Sequence, residues 1–340
     1  MCNEEHYHAK KIDLVGCSGI LLVVLFSQID IYELQSILRQ TEWKVILYLL
    51  VLQTITQLLV NLQWYSIAKF AKIDISFWGM FYINSQGTVM ESITPGMKFG
   101  GELARGVLIT RMGKCSGHQA AVIVALQKIF SLGAFVLVSI MSVVFLSLRS
   151  AFFQSIIVRL SIYLVLGLFL LAFIVIFFAP KRILNWITSK QTPENSKLKA
   201  IKRFFENVLD HVLLFESNRR ELFAQFLLAF IIWLFYPVKL YLLAAQMQTY
   251  VPIFYITCIT FVAYMVAMLP LFPGGLGGFE STMTGLLVGL GVSLSNAAAL
   301  SVTFRFVTFW YVIVLSLVYT VVYRLINKQM SKERMLHDDE

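Results

Sequence analysis

The sequence is poor in charge and has no long polar stretch. Of its 340 residues, 14% are Asp, Glu, Lys or Arg, whereas 58% are hydrophobic, and the mean hydropathy is +0.76. No polar stretch reaches the roughly 50 residues of a small soluble domain, and several apolar runs have the roughly 20 residues that cross a bilayer. The composition therefore predicts an all-α polytopic integral membrane protein with a single membrane domain over residues 1–340.

The motifs of the common enzyme classes are also missing. The four cysteines show no C-x-x-C or metal-ligand spacing, and the five histidines are isolated in loops or tails. There is no H-E-x-x-H, nucleophile elbow or P-loop. We therefore expect no catalytic residue, no metal and no cofactor, and we predict that the protein is not an enzyme. The formal net charge of +9 belongs to loops and does not indicate binding of nucleic acid.

The apolar runs predict about six long membrane spans. They lie near residues 14–31, 45–68, 119–148, 156–179, 222–246 and 297–326. The first follows Lys10 and Lys11 without a small-residue cleavage site, so we predict an uncleaved span and not a signal peptide. Beyond the last, a short charged tail over residues 327–340 is predicted to be disordered.

Two further apolar runs, 75–93 and 253–272, are each followed by a break rich in proline and glycine. The first break reads Pro95-Gly-Met-Lys-Phe-Gly-Gly-Glu102, and the second reads Pro273-Gly-Gly-Leu-Gly-Gly-Phe-Glu280. Proline removes a backbone donor and glycine permits positive φ. Within hydrocarbon, protein or a water-filled cavity must satisfy the freed backbone groups. The breaks predict two re-entrant or short helical hairpins, and a tight loop at the membrane surface is the alternative.

The two breaks begin at Pro95 and Pro273. When the spans around the first break are shifted along the sequence by the distance between these prolines, they coincide with the spans around the second break. This agreement predicts an internal repeat, with one copy over about 44–148 and the second over about 222–326. Each copy reads long helix, helix, broken turn, short helix, long helix. A generic helical bundle could give the same spacing.

The connection between the copies, residues 181–221, is the densest basic region and has an amphipathic pattern. It predicts either a helix on the membrane surface or a solvated linker helix. The positive-inside rule places this connection and both termini on the cytoplasmic side. The membrane itself is expected to be the plasma (inner) membrane. The first copy then starts outside and the second inside. Such an inverted repeat is typical of secondary transporters.

Charged and amide side chains at membrane depth define the candidate site. Each unpaired charge at the centre of a span costs about 2.5–3.5 kcal/mol on insertion scales. Arginine suits a bidentate contact with phosphate, and helix N-termini favour anions. Structural salt bridges, such as Glu280 with Arg305 or Arg105, are the alternative, as are hydrogen bonds between helices for the amides. The predicted substrate-binding residues are Arg105, Arg305, Lys98, Glu102, Glu280, Gly100, Gly101, Gly274, Gly275, Gly277, Gly278, Gln53, Gln57 and Asn61.

Three features together resemble the transmembrane region of the lysylphosphatidylglycerol synthase/flippase family. They are the Pro-Gly-x-x-x-Gly-Gly-Glu-Leu-x-Arg run from Pro95 to Arg105, the run from Pro273 to Glu280, and Arg305. The resemblance covers roughly residues 10–326. It implies a flippase that moves aminoacylated phosphatidylglycerol between leaflets, and related stand-alone members are linked to polyprenyl-phosphate sugar metabolism. The soluble aminoacyl-transferase domain of the larger synthases is not expected here, so their synthase activity is not carried over.

Taken together, we predict a lipid translocase for a phosphate-headgroup lipid, such as an anionic or aminoacylated phospholipid. A polyprenyl-phosphate or glycolipid carrier is one alternative. A membrane-embedded transferase, or a scaffold for one in envelope biosynthesis, is the other. The expected partner is a membrane phospholipid or a polyprenyl-phosphate lipid, and self-association as a homo-oligomer is left open.

Overall fold

The computed structural model describes residues 42–94, 99–149, 167, 171, 218–268 and 277–337. Throughout these ranges the elements are helices, with no strand, as the fold class predicted. The helices are α1 (Trp43–Phe70), α2 (Phe77–Ile93), α3 (Phe99–Met112), α4 (Gly117–Arg149), α5 (Arg219–Gln246), α6 (Ile253–Ala267), α7 (Gly278–Val288), α8 (Leu294–Arg305), a π-helical segment (Phe306–Trp310) and α9 (Tyr311–His337).

Four helical stretches in the described part are long and apolar enough to cross a membrane. They are Trp43–Phe70, Gly117–Phe145, Arg219–Gln246 and Leu294–Asn327, which match four of the six predicted long spans. The predicted spans 14–31 and 156–179 lie outside the described residues, apart from two isolated positions, as does most of the connection 181–221. Large exposed apolar side chains such as Trp43, Met141 and Phe223 give these helices surfaces suited to lipid.

Polar caps and glycines set the ends of several helices. The Ser76 hydroxyl accepts a hydrogen bond from the Gly79 N–H at the start of α2, and Ser293 does the same for Asn296 at the start of α8. Gly277, with φ +80°, immediately precedes α7. Helices α3 and α7 thus begin within the two predicted breaks, at Phe99 and Gly278. Pro95, Lys98, Pro273, Gly274 and Gly275 lie outside the described residues.

The C-terminal end differs from the predicted disordered tail. Helix α9 continues past residue 326 as far as His337. The residues from Asn327 to His337 are mostly Lys, Gln, Met, Glu, Arg and Leu. These side chains are not branched at Cβ and lose little rotamer freedom in a helix, so their intrinsic helix propensity is high even though several of them are charged.

The helices form two helix sets, α1–α4 and α5–α9, that pack against each other. Within them α2 packs on α3, and α6 packs on α7. Between them α4 packs on α6, α9 packs on α2, and α1 packs on α5. Helices α1 and α5 run antiparallel, because Lys239 contacts Gln53 whereas Gln225, earlier in α5, contacts Gln63, later in α1. Apolar and aromatic side chains fill the interior, including Trp64, Phe130, Phe261, Phe279 and Phe304.

Candidate functional site

Arg105 lies on α3 at the centre of a buried group of charges. Its Nη1 is 3.1 Å from Glu102 Oε1, one turn earlier on the same helix. Both Nη atoms lie 3.2 Å from Glu91 Oε2 on α2. The Nζ atom of Lys128 on α4 is 2.6 Å from Glu102 Oε1. We call Arg105, Glu91, Glu102 and Lys128 the Arg105 cluster, and its alternating charges offset the cost of burying each one.

Glycines on α2 and α3 make room for this cluster. A Cβ atom at Gly87 would lie 2.5 Å from Arg105 Cγ and 2.8 Å from Arg105 Cζ. At Gly101 it would lie 2.6 Å from the carbonyl oxygen of Gly87, and at Gly100 it would collide with the Thr94 side chain. Gly100 and Gly101, predicted as substrate-binding residues, therefore have a visible steric role in letting the two helices approach.

A polar cavity lies beside Arg105, between α1, α2 and α9. Its volume is about 20 Å³, which is room for one water molecule but not for a phosphate headgroup. Within the described residues, Arg105 Nε and Asn84 Oδ1 are buried and make no hydrogen bond. Two residues that line the cavity thus carry an unused donor and an unused acceptor. Its polar lining comprises Arg105, Gln57, Asn84, Ser85, Thr88 and Ser316.

Arg305 forms a second ion pair at the end of α8. Its Nε is 3.3 Å from Glu280 Oε1, and its guanidinium lies 4.8 Å from the Phe279 ring and 4.3 Å from the Phe309 ring. The other oxygen of Glu280 accepts a hydrogen bond from the Gly277 N–H at 2.7 Å. We call Arg305 and Glu280 the Arg305 pair. A π-helical segment, which often marks functional sites, follows Arg305 directly.

Two tyrosines lie between Lys239 and the Arg305 pair. Lys239 Nζ is 4.3 Å from the centre of the Tyr236 ring, and the rings of Tyr236 and Tyr264 are 5.2 Å apart. The Tyr264 ring is 4.9 Å from that of Phe279, which contacts the Arg305 guanidinium. A series of aromatic rings thus leads from α5 to the Arg305 pair.

The predicted amide face of α1 points into the protein, but its three members have different partners. Gln53 accepts a hydrogen bond from Lys239 Nζ through Oε1. Asn61 donates to the Phe77 carbonyl at 3.0 Å and accepts from another amide on α2. Of the three, Gln57 alone lines the cavity. Gln53 and Asn61 thus serve as contacts between helices, which was the alternative interpretation of this face.

Sequence reasoning missed three charged residues at this site, namely Glu91, Lys128 and Lys239. One signal could have found Lys128. It follows Glu102 at nearly the same distance along the chain as Arg305 follows Glu280, so each break glutamate has a cation at an equivalent later position. Glu91 and Lys239 could have been found as ionisable residues within apolar helices. Among the described residues, His, Cys, Asp and Glu side chains form no group of three that could hold a metal.

The fold and the site define the class: a polytopic α-helical membrane protein with paired charges buried between its helices. The family called "Lysylphosphatidylglycerol synthase TM region" matches residues 13–316, and the chain belongs to this family. The predicted resemblance is therefore confirmed.

Curated relatives are similar over almost their whole length. A UPF0104 membrane protein of Methanothermobacter thermautotrophicus is 23% identical over 316 residues, which cover 87% of this chain and 90% of the relative. A UPF0104 membrane protein of Pyrococcus horikoshii is 22% identical over 318 residues, covering 88% and 93%. A third, of Methanocaldococcus jannaschii, is 21% identical over 316 residues, covering 88% and 91%. These similarities support a location in the membrane.

Proposed function

We propose that this protein is a lipid translocase that moves a phosphate-headgroup lipid between the two leaflets of the plasma (inner) membrane. The observation that carries the proposal is the position of Arg105. Its guanidinium is buried, is oriented by Glu91 and Glu102, and borders a polar cavity inside an otherwise apolar helical protein. A phosphate oxygen can replace a carboxylate oxygen on arginine, because both accept the same bidentate pair of N–H donors.

In this proposal the ion pairs keep the arginines in place between transport events. Removing one partner from a buried pair typically costs about 3–5 kcal/mol, so the guanidinium exchanges partners and does not become unpaired. The cavity of about 20 Å³ is smaller than a headgroup. Binding therefore requires α2 and α9 to move apart at Ser85 and Ser316. This movement opens the cavity into a polar groove. The Arg305 pair supplies a second anion-binding position across Tyr236.

We further infer that the two helix sets are inverted copies of one unit. Shifting α1, α2, α3 and α4 by the offset between Pro95 and Pro273 brings their first residues within two positions of those of α5, α6, α7 and α8. The equivalent helices α1 and α5 run antiparallel, which supports inversion. The contact of α4 with α6 has its counterpart in the contact of α9 with α2. Six long spans, two re-entrant hairpins and cytoplasmic termini complete this proposed topology.

A polyprenyl-phosphate carrier shares the same headgroup chemistry and is the second candidate. A membrane-embedded transferase would need a carboxylate that can act on substrate. Both oxygens of Glu280 are engaged, one by Arg305 and the other by the Gly277 N–H. Glu102 is paired with Arg105 and Lys128 through Oε1 alone, and its Oε2 is buried without a hydrogen bond among the described residues. These contacts favour a binding role for Glu280 over a catalytic one.

Leaflet exchange in liposomes tests the proposal and separates the two lipid classes. Purified protein is reconstituted with a trace of fluorescent lipid that carries a phosphatidylglycerol, a polyprenyl-phosphate or a net-neutral phosphatidylcholine headgroup. We expect fast exchange of at least one of the two anionic lipids and slow exchange of the neutral one. Exchange of every lipid at the rate of protein-free liposomes would contradict the proposal.

A further inference from the structure

Lys239 is a fully buried cation that the proposed lipid site does not use. It lies on α5, seven residues before the end of this apolar helix, with 0% of its surface exposed. Its Nζ donates to Gln53 Oε1 and to Thr56 Oγ1, the latter at 3.1 Å, and lies 4.3 Å from the centre of the Tyr236 ring. Within the described part of the chain, no carboxylate forms an ion pair with it, which distinguishes it from Arg105, Lys128 and Arg305.

Such a position suits a group that gains and loses a proton. An ammonium surrounded by neutral groups in a low-dielectric interior pays a desolvation cost that the neutral amine does not pay. Lysine can release its proton under these conditions, whereas arginine stays charged. A structural lysine would be expected to have a carboxylate partner, as the buried Arg105 and Arg305 do.

The neighbouring amide can accommodate both protonation states. In the structure Gln53 Oε1 accepts from Lys239, whereas Gln53 Nε2 is buried and makes no hydrogen bond in the described residues. A half-turn of the amide exchanges these two atoms. Nε2 could then donate to the lone pair of a neutral amine. Gln53 therefore offers a hydrogen-bond partner to either form of Lys239 without any change in the backbone.

The charges of the packed helices connect Lys239 to the lipid site. On α5 itself its ionisable neighbour is Tyr236, and α1 presents only the neutral Gln53 and Thr56. Tyr264 of α6 packs against Tyr236 with 5.2 Å between the ring centres, and the Phe279 ring links Tyr264 to Arg305 of α8. Lys128 of α4 is paired with Glu102. A headgroup anion bound at the arginines would add negative charge to this region and favour the protonated lysine.

We propose that Lys239 binds the proton that moves together with the anionic headgroup. This inference rests on the proposed lipid translocation. When the headgroup binds, the lone pair of Nζ takes a proton from hydronium, so that an N–H bond forms, an O–H bond breaks and water is released. When the headgroup leaves on the other side, the N–H bond breaks and a water molecule there takes up the proton as hydronium. One anion with one proton carries no net charge across the membrane.

A proton gradient across liposomes tests this coupling quantitatively. With the membrane potential clamped to zero, one proton per lipid predicts an equilibrium of about tenfold enrichment of the transported lipid in the leaflet that faces the alkaline side, for each unit of pH difference. We expect this enrichment in the parent protein and in Lys44→Met, an exposed lysine at the start of α1. Lys239→Met is expected to abolish the enrichment. Full enrichment by Lys239→Met would overturn the inference.

A second measurement does not depend on transport. Lysine labelled with ¹³C at Cε is introduced into the full-length protein in detergent, and the spectra are followed over about pH 5–9. One signal, absent from Lys239→Met, should change its shift within this range, and a short-chain anionic lipid should move its midpoint. A signal that is constant over the whole range would overturn the inference even if lipid exchange is observed. A titrating signal without exchange of any lipid would instead disprove the proposed translocation.

Discussion

The position of Arg105 depends on two kinds of neighbour. Its ionic partners hold the guanidinium, and nearby glycines, which have no side chain, leave the space that the arginine occupies. Gly87 has no Cβ where the arginine stem passes, and Gly101 lets α3 lie against the backbone of α2. The glycines of the first break were predicted from their conformational freedom. In the structure these glycines instead leave space for α2 and α3 to pack closely. Whether a residue has this role depends on how the two helices meet. Sequence spacing alone does not contain that information.

Gly87→Ala should therefore displace Arg105 from Glu91. The new Cβ atom would lie 2.5–2.8 Å from Arg105 carbons, and such overpacking typically costs about 1–3 kcal/mol. We expect a lower thermal midpoint in detergent and at least a tenfold loss of lipid exchange. The matched control is Gly106→Ala on α3, where a Cβ meets nothing within 4 Å. It should retain exchange, because alanine favours a helix by about 1 kcal/mol over glycine. Equal behaviour of the two variants would argue against the steric role of Gly87.

The ionic partners could be predicted from the sequence only in part. Glu280 was paired in advance with either Arg305 or Arg105, and the structure has the first of these pairs. The partners of Arg105 are instead Glu91 and Glu102. Glu102 lies three residues away on one helix, which local geometry predicts. Glu91 lies on another helix, and only the packing of α2 on α3 brings it within reach.

At the scale of elements, the long spans were the most predictable feature. The predicted spans 45–68 and 222–246 differ from α1 and α5 by at most three residues at either end. This agreement is expected, because bilayer thickness and the cost of exposed backbone groups determine these lengths. The π-helical segment after Arg305 was not predicted. It lies within a continuous apolar run that contains no proline or glycine, so no sequence signal indicated it.

Helix α7 depends on Glu280 for both its cap and its attachment to α8. Glu280→Gln separates the two contributions, because glutamine can still accept from the Gly277 N–H but carries no charge for Arg305. We expect the loss of this charge to destabilise the protein, by up to about 3–5 kcal/mol if the pair acts as a fully buried one. Thermal unfolding in detergent measures the change.

The matched control for this variant is Glu42→Gln. Glu42 is an exposed carboxylate before α1 that makes no side-chain capping bond. It should change stability by less than about 0.5 kcal/mol. Destabilisation of similar size in both variants would mean that the Arg305 pair contributes no special stability.

At the scale of the whole molecule, the proposed inverted repeat makes a prediction about depth. In the proposed topology α7 begins inside the membrane. In a protein without its native cysteines, a single cysteine at Gly278 should therefore react slowly with a membrane-impermeant thiol reagent. A cysteine at Tyr250, which is 91% exposed in the connection between α5 and α6, should react rapidly from outside the cell. We expect rates that differ by at least about tenfold. Equal rates would place the second break at the surface and contradict the re-entrant hairpin.

The family could be predicted from the sequence because the paired Pro/Gly breaks and the arginines recur as short, recognisable runs. The arrangement of the whole site could not be predicted in the same way. Residues from α2, α3 and α4 meet at the Arg105 cluster, and residues from α7 and α8 meet at the Arg305 pair. Other contacts join positions far apart in the chain, such as Gln53 and Lys239. Such contacts follow from the packing of complete helices and have no local signature.

The central claim is that a buried arginine binds the headgroup during translocation, and leaflet exchange by Arg105→Gln tests it most directly. The control is Arg111→Gln, an exposed arginine on the same helix. Both proteins are first checked for monodispersity and thermal stability, and Arg105→Lys is included as a variant that retains the charge. We predict at least a tenfold loss of anionic-lipid exchange in Arg105→Gln, partial activity in Arg105→Lys and parental activity in Arg111→Gln. A folded Arg105→Gln protein that exchanges the lipid at the parental rate would contradict the account.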